Sequence, residues 1–152
     1  MKKYSFKSKL GYITLFSKNE KIIKIILKSE EIYNDPPNEA MLLAEKEILD
    51  YLDNKTTSFS FPIELEGSDF FKKVLFSMKQ IPYGTTYSYS KLAEKSGYSK
   101  AVRAVGTVCK NNPLPLIIPC HRVIKKDGLI GNFNGGVELK QYLLNLEKKS
   151  SN

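Results

Sequence analysis

Apolar and polar positions alternate in short runs at the start of the chain. Tyr4–Lys9, Tyr12–Ser17 and Lys21–Lys28 are rich in β-branched and aromatic residues, and the pattern predicts three strands. Leu10-Gly11 and Lys18-Asn19-Glu20 punctuate them as hairpin turns do. Ile22, Ile23, Ile25, Ile26 and Leu27 form a dense apolar run suited to a central strand. Asp35-Pro36-Pro37-Asn38 ends the β pattern. In Glu39–Leu52 the apolar residues Leu42, Leu43, Ile48, Leu49 and Leu52 fall at near-helical spacing and predict a helix. Thr57–Leu65 returns to alternation and predicts another strand.

Gly67-Ser68-Asp69 marks a boundary, with Ser68 or Asp69 placed to cap the next helix. Phe71, Val74, Leu75 and Met78 predict a helix over Phe70–Gln80, stopped by Ile81-Pro82-Tyr83-Gly84. Short helices follow at Ser88–Ser96 and Lys100–Lys110, joined by a turn at Gly97-Tyr98. Leu116–Ile118 reads as a short extended stretch. Val137–Lys149 closes the pattern as a helix with Leu139, Leu143 and Leu146 on one face. The expected fold class is α+β, with a small N-terminal α/β domain over residues 1–66 and a mostly helical domain over residues 67–152.

Composition narrows the function classes. There is no apolar run of membrane length, and the Lys-rich start lacks the long apolar stretch of a signal peptide. The expectation is a soluble, cytoplasmic protein. Two cysteines and one histidine exclude a disulfide framework and a four-ligand zinc site. A Cys109–Cys120 disulfide is conceivable, but free thiols are the expectation for the cytosol. The net charge of +8 is uneven: residues 1–66 carry −1 and residues 67–152 carry +9. A basic half suits a polyanion; a solvated Lys-rich surface is the alternative.

Ala93 followed four residues later by Gly97 fits a helix-turn-helix, a spacing shared by many helical hairpins. In the second helix Ala101, Ala104, Gly106 and Thr107 are all small, and Gly106 costs about 1 kcal/mol of helix propensity relative to Ala. Arg103 is the long cation among them. Either this helix packs closely on another helix with Arg103 at the surface, or it lies on DNA with Arg103 reaching in.

Asn112-Pro113-Leu114-Pro115-Leu116-Ile117-Ile118-Pro119-Cys120-His121-Arg122-Val123 is the most informative stretch. A thiol near an imidazole and a guanidinium is expected to have a lowered pKa, and thiolate is the reactive form. In an extended strand Cys120 and His121 point to opposite faces, so proton transfer needs a bridging water or a bend. The alternative is a buried structural Cys beside a surface His. Gly128, Gly131, Gly135 and Gly136 surround Asn132-Phe133-Asn134, a loop able to line a pocket or to form an ordinary hairpin. Glu147, one turn beyond Leu143, can reach the interior or form a surface salt bridge.

Together these residues resemble the O6-alkylguanine-DNA alkyltransferase family. The likeness runs from about Phe70 to Glu147 and rests on Pro119-Cys120-His121-Arg122-Val123. Pro82-Tyr83-Gly84, Tyr87–Ala93, Arg103-Ala104-Val105-Gly106, Asn112-Pro113, Gly131–Gly136 and Glu147 support it in order. The resemblance implies a ribonuclease-H-like first domain and a winged-helix-like second one. It implies DNA repair as a methylated-DNA–[protein]-cysteine S-methyltransferase, acting once per molecule with no cofactor and no metal. Cys120 is then the alkyl acceptor, His121 its base through water, and Glu147 the group that polarises His121. Asn112 braces the turn into the active site, and Tyr89 rotates the nucleotide out and offers it a proton. Arg103 fills the vacated space in the stack. Ala104, Lys100, Gly106 and Arg122 complete the DNA-binding set with Tyr89. The Cys120 and Val123 carbonyls accept from the guanine amine. Phe133, Asn134 and Gly135 form the pocket lid, and Cys109 faces the pocket.

The implied partner is double-stranded DNA containing O6-alkylguanine, bound through the minor groove by a monomer in the cytoplasm, or in the nucleus of a eukaryote; O4-alkylthymine is left open. Phe133 stands where the family often has Tyr. Gly135 replaces a bulkier residue of some relatives and implies a pocket that admits free O6-benzylguanine, which an intact-mass measurement of Cys120 alkylation checks. Three other classes compete. A non-catalytic alkyltransferase-like lesion binder replaces the acceptor, typically with Trp, whereas this chain has Cys120 and no Trp. A helix-turn-helix regulator has no need of Cys120, His121 and Glu147, and a thiol hydrolase has no need of the basic half.

Overall fold

The alternation at the start of the chain folds into a three-stranded antiparallel sheet of β1 (Lys2–Ser8), β2 (Gly11–Lys18) and β3 (Lys21–Ile26), in that spatial order. Asn19 and Glu20 join β2 to β3 with φ of 52° and 61°, the left-handed pair that a tight hairpin with the twist of its strands requires. Ile13, Leu15, Ile22 and Ile25 are buried in the core of this part of the chain. Helix α1 (Glu39–Leu52) is capped by Asn38, whose side chain accepts from the Met41 N–H at 2.9 Å. Its buried stripe is Met41, Ala44, Ile48, Tyr51 and Leu52, while Leu42 and Leu43 are exposed. Two of the leucines that suggested the helix therefore face outward, and the smaller Ala44 takes the inner position.

Expected as a strand, Thr57–Leu65 forms only one bridge, the parallel pairing of Ile63 with Ile22. Competing acceptors explain this. The Glu47 carboxylate takes the backbone N–H groups of Ser60 and Phe61, at 2.8 and 2.9 Å, and Pro62 has no N–H to give.

A computed structural model describes residues 1–131 and 136–151. They form two compact units: Met1–Glu66 with Pro113–Pro115, and Gly67–Asn112 with Leu116–Asn152. Pro113 belongs with the sheet because its carbonyl accepts from the Ile25 N–H at 2.9 Å.

The second unit begins with α2 (Asp69–Lys79), capped by the Ser68 hydroxyl, and buries Val74, Leu75 and Met78. Then come β4 (Tyr87–Ser88), α3 (Tyr89–Lys95) and α4 (Val102–Lys110), followed by β5 (Val123–Ile124) and α5 (Val137–Ser151). Ser88 caps α3 by accepting from the Lys91 N–H at 3.0 Å. Gly97, at φ 86°, turns the chain between α3 and α4. Helix α4 starts two residues later than expected, since 99–100 form a turn. Unforeseen is the parallel pairing of β4 with β5, Tyr87 opposite Val123 and Ser88 opposite Ile124.

Residues 116–118 are not extended. Leu116 sits at φ 78°, and this buried apolar run folds as a turn. The whole is a mixed α/β chain of helices and small sheets. Among the described residues no helix is long and apolar enough to cross a membrane.

Candidate active site

Pro119 ends the turn, and Cys120, His121 and Arg122 follow as a single 3-10 turn, not a strand. The Cys120 N–H donates back to the Ile118 carbonyl and the Arg122 N–H to the Pro119 carbonyl, at 2.8 and 2.9 Å. Asn112, the first residue after the cap of α4, donates from Nδ2 to the same Ile118 carbonyl at 2.8 Å and also hydrogen-bonds the Cys120 thiol. One amide thus ties the end of α4 to the turn that carries the sulfur.

Cys120 is 7% exposed and His121 is fully buried. Nε2 of His121 lies 2.6 Å from Oε2 of Glu147, a residue of α5 that is itself 1% exposed. Glu147 is saturated with donors. Oε1 accepts from the Gly84 N–H at 3.0 Å and from Arg122 Nε at 2.8 Å, and Oε2 accepts from Arg122 Nη2 at 2.9 Å as well as facing His121. Burial alone pushes this carboxyl up, but the His121 and Arg122 hydrogen bonds override it and hold the group well below the usual carboxylate range.

Arg122 was expected to meet DNA. The structure corrects this: the guanidinium is buried, its Nη1 donates to the Ile81 carbonyl at 2.7 Å, and its remaining donors clamp Glu147. A planar fork suits such a two-point grip on a carboxylate. Arg122 positions the carboxylate and does not present its charge to a ligand.

The expected lowering of the Cys120 pKa is also overturned. Burial pushes the thiol up to about 11, against the pull of the Asn112 hydrogen bond and the Lys140 charge. The guanidinium that was to stabilise a thiolate is spent on Glu147. Burial likewise lowers the His121 pKa, with Glu147 opposing. The resting pair is therefore thiol and imidazole. The rate at which iodoacetamide modifies Cys120 is accordingly expected to climb about tenfold per pH unit between about pH 7 and pH 10. Peptide mapping after timed exposure measures it; a flat profile is the signature of a thiolate already present at neutrality.

Lys140 escaped notice in the sequence. It lies on α5, is fully buried, and donates from Nζ to the Val123 carbonyl at 2.6 Å. Burial lowers its pKa to about 8, and the neighbouring thiols Cys120 and Cys109 act the other way. Its position one residue after Leu139, on the face that carries Leu143, was the available signal. Cys109 and Cys120 are both free and buried, and burial pushes Cys109 up to about 12.

Tyr89 opens α3 and is half-buried; burial first, then the two thiols, raises its pKa to about 12, so its hydroxyl stays a donor. It lines an open groove of about 410 Å³ with Val102, Arg103, Gly106, Lys110 and Lys125. Arg103, Ala104 and Lys100 are exposed, Gly106 is half-buried and Val123 is buried. Phe133, Asn134 and Gly135 lie outside the described residues.

A buried thiol next in the chain to a buried imidazole that a buried carboxylate holds, on a unit that also carries a helix-turn-helix, defines a cysteine-centred protein built on a nucleic-acid-binding type of scaffold. The family is then shown directly. Residues 69–149 match the family model described as 6-O-methylguanine DNA methyltransferase, DNA binding domain. The constitutive methylated-DNA–protein-cysteine methyltransferase of Bacillus subtilis is 34% identical over 151 residues, covering 93% of this chain and 92% of that protein. The methylated-DNA–protein-cysteine methyltransferase of Methanocaldococcus vulcanius is 38% identical over 150 residues, covering 90% of this chain and 91% of its own. The crystal structure of Mycobacterium tuberculosis OGT in complex with DNA superimposes with a TM-score of 0.91 at 30% identity, over 99% of this chain and 94% of that one. The chain belongs to the 6-O-methylguanine DNA methyltransferase family.

Proposed function

We propose that this protein repairs DNA by direct reversal, moving the alkyl group of O6-alkylguanine irreversibly onto Sγ of its own Cys120. The observation that carries this is the buried Cys120 beside the His121–Glu147 pair, with Asn112 bonded to the thiol and the Lys140 charge acting on it. With Nε2 held by Glu147, His121 turns its other ring nitrogen, Nδ1, to the task of taking the Cys120 proton through a water. The Lys140 ammonium steadies the sulfur as it becomes negative.

The thiolate then attacks the alkyl carbon. A C–S bond forms, the C–O6 bond breaks, and its electron pair passes to the guanine. Guanine leaves well only if it receives a proton, which the Tyr89 hydroxyl is placed to offer. The Cys120 carbonyl already accepts from the Val123 N–H and the Val123 carbonyl from Lys140, yet each keeps a second lone pair for the guanine amine. The thioether is stable and no second nucleophile is called for, so each molecule reacts once.

The base must leave the duplex first, at a cost of a few kcal/mol. The basic half, with Arg103 filling the gap and Lys100 at the surface, offsets part of that cost through phosphate contacts. Small residues on α4, Ala104 and Gly106 among them, support close approach to a minor groove. The sheet-then-helix order of the first unit supports the ribonuclease-H-like reading, and α2–α4 with the β4–β5 pair supports the winged-helix-like one. The protein acts as a monomer in this reading, wherever the genome is, in cytoplasm or nucleus.

Mixing the protein with a duplex containing O6-methylguanine tests this. Intact mass is expected to rise by one methyl group per molecule, located at Cys120. No gain in mass overturns the reading in favour of a lesion binder or a regulator, and repeated release of product overturns it in favour of a hydrolase.

Gly106→Ala separates packing from function. A Cβ there meets the Tyr89 ring at 3.8 and 4.0 Å, an ordinary contact. The free protein is expected to gain about 1 kcal/mol from helix propensity, seen as a Tm higher by about 2–4 °C. Duplex affinity is expected to fall in a binding titration, because the methyl group narrows the groove.

A further inference from the structure

Two cations that line the groove, Lys110 and Lys125, have no role in the reading above, and Lys125 stands next to Tyr89. Tyr87 pairs with Val123 and Ser88 with Ile124 in parallel, so the residues that follow the two strands are Tyr89 and Lys125, and both line the groove. A methyl group built on Gly131 stands 3.2 Å from the Tyr89 hydroxyl and 3.5 Å from Cγ of Lys125, so the three residues meet at one side of the groove. Helix α4 supplies the other cations, Arg103 and Lys110. Among the described residues that line the groove there is no carboxylate. The Lys125 side chain is exposed while its backbone is pinned: its N–H donates to the Leu129 carbonyl at 2.8 Å and its carbonyl accepts from the Gly128 N–H at 2.9 Å.

We propose that Lys125 binds a backbone phosphate of the damaged strand, next to the nucleotide that Tyr89 turns out. This rests on the DNA-repair reading of the same site. Turning a nucleotide out of the stack swings its phosphates through a large angle. A cation fixed beside the residue that drives the turn meets a phosphate in the extruded state and not in the stacked one. Lys125 therefore favours extrusion as well as binding. Its partner is a phosphodiester and not a base edge, so it adds affinity without sequence preference.

The test compares Lys125→Ala and Lys125→Arg with Lys126→Ala, since Lys126 is equally exposed one residue on and does not line the groove. Each protein, carrying Cys120→Ala so that no alkyl group is transferred during the measurement, is titrated against a fluorescent duplex containing O6-methylguanine over a range of salt. Lys125→Ala is expected to bind about three- to tenfold more weakly, with a salt slope lower by about one. Lys125→Arg is expected to recover most of the loss, and Lys126→Ala to lose less than about twofold. Wild-type affinity and slope in Lys125→Ala, or an equal loss in Lys126→Ala, overturns the proposal while leaving the repair reading intact. A wild-type protein that reacts with free O6-benzylguanine yet binds no duplex overturns the DNA reading and the Lys125 contact together.

Discussion

A Cys120→Ala protein is expected to gain no mass from a duplex that methylates the wild type completely. The loss should exceed about 10⁴-fold, the scale on which covalent mechanisms fail without their nucleophile. The physical reason is narrow. The target is an ether-type alkyl carbon, and only a soft, strong nucleophile displaces guanine from it. Cys109 is the other thiol in the chain, and burial pushes it up to about 12, further from ionisation than Cys120. It has neither the Asn112 hydrogen bond nor the adjacent imidazole, so it should not substitute. Duplex binding by Cys120→Ala should persist, because the groove is built from α4, Tyr89 and Lys125. Intact mass and a binding titration on one sample separate the two results; methylation of Cys120→Ala at Cys109 would move the acceptor, and loss of binding would signal a folding defect.

The second large effect is on stability. Glu147→Ala leaves the Arg122 guanidinium buried with the Ile81 carbonyl and the Tyr83 ring but no counter-charge, and strips an acceptor from the Gly84 N–H and from His121. Breaking one partner of a buried ion pair costs about 3–5 kcal/mol, enough to show as a clear fall in Tm. Arg122→Met alone should cost a similar amount, since it leaves the carboxylate to His121 and Gly84. The pair Glu147→Gln with Arg122→Met should cost less than the sum of its parts, because no lone charge remains buried.

The pH dependence follows from the sign of the shift. The folded pKa of Glu147 is depressed below 4.5, so its contribution is fully present above that value and is lost as pH falls through the folded pKa. Acid unfolding monitored by circular dichroism should therefore be less steep in the Glu147→Gln, Arg122→Met pair than in the wild type. An additive double mutant would mean that the four hydrogen bonds at Glu147 contribute independently.

Much of the fold was legible because it is local. The three strands, the helices and the Ser68 cap follow from alternation, helical spacing and capping chemistry within a few residues. Thr57–Leu65 was misread because a carboxylate from α1 captures its N–H groups, an event at a distance of more than ten residues in sequence that no local pattern records. The β4–β5 pair was missed for a similar reason: two residues per strand carry almost no periodic signal.

At the site, the motif Pro119-Cys120-His121-Arg122-Val123 and the likeness to a known family pointed to the acceptor, its imidazole and Glu147. Two expectations then failed. Arg122 was placed at DNA with the set that the family likeness implied, and a thiolate was expected because an imidazole and a guanidinium stand next to Cys120 in the chain. Lys140 was missed because Lys is seldom buried, and helical spacing does not say which side chains lose their water.

The sequence by itself determined the order of most elements and the place of the basic half, since these depend on covalent neighbours and composition, and its likeness to a family supplied the candidate reacting groups. Only the tertiary structure decided which charges meet. Arg122 closes on Glu147, Lys140 turns in toward the thiols, and Lys125 is left at the groove beside Tyr89. Protonation and ion pairing depend on burial and on distances between segments far apart in the chain, and a Coulomb interaction has no memory of sequence order.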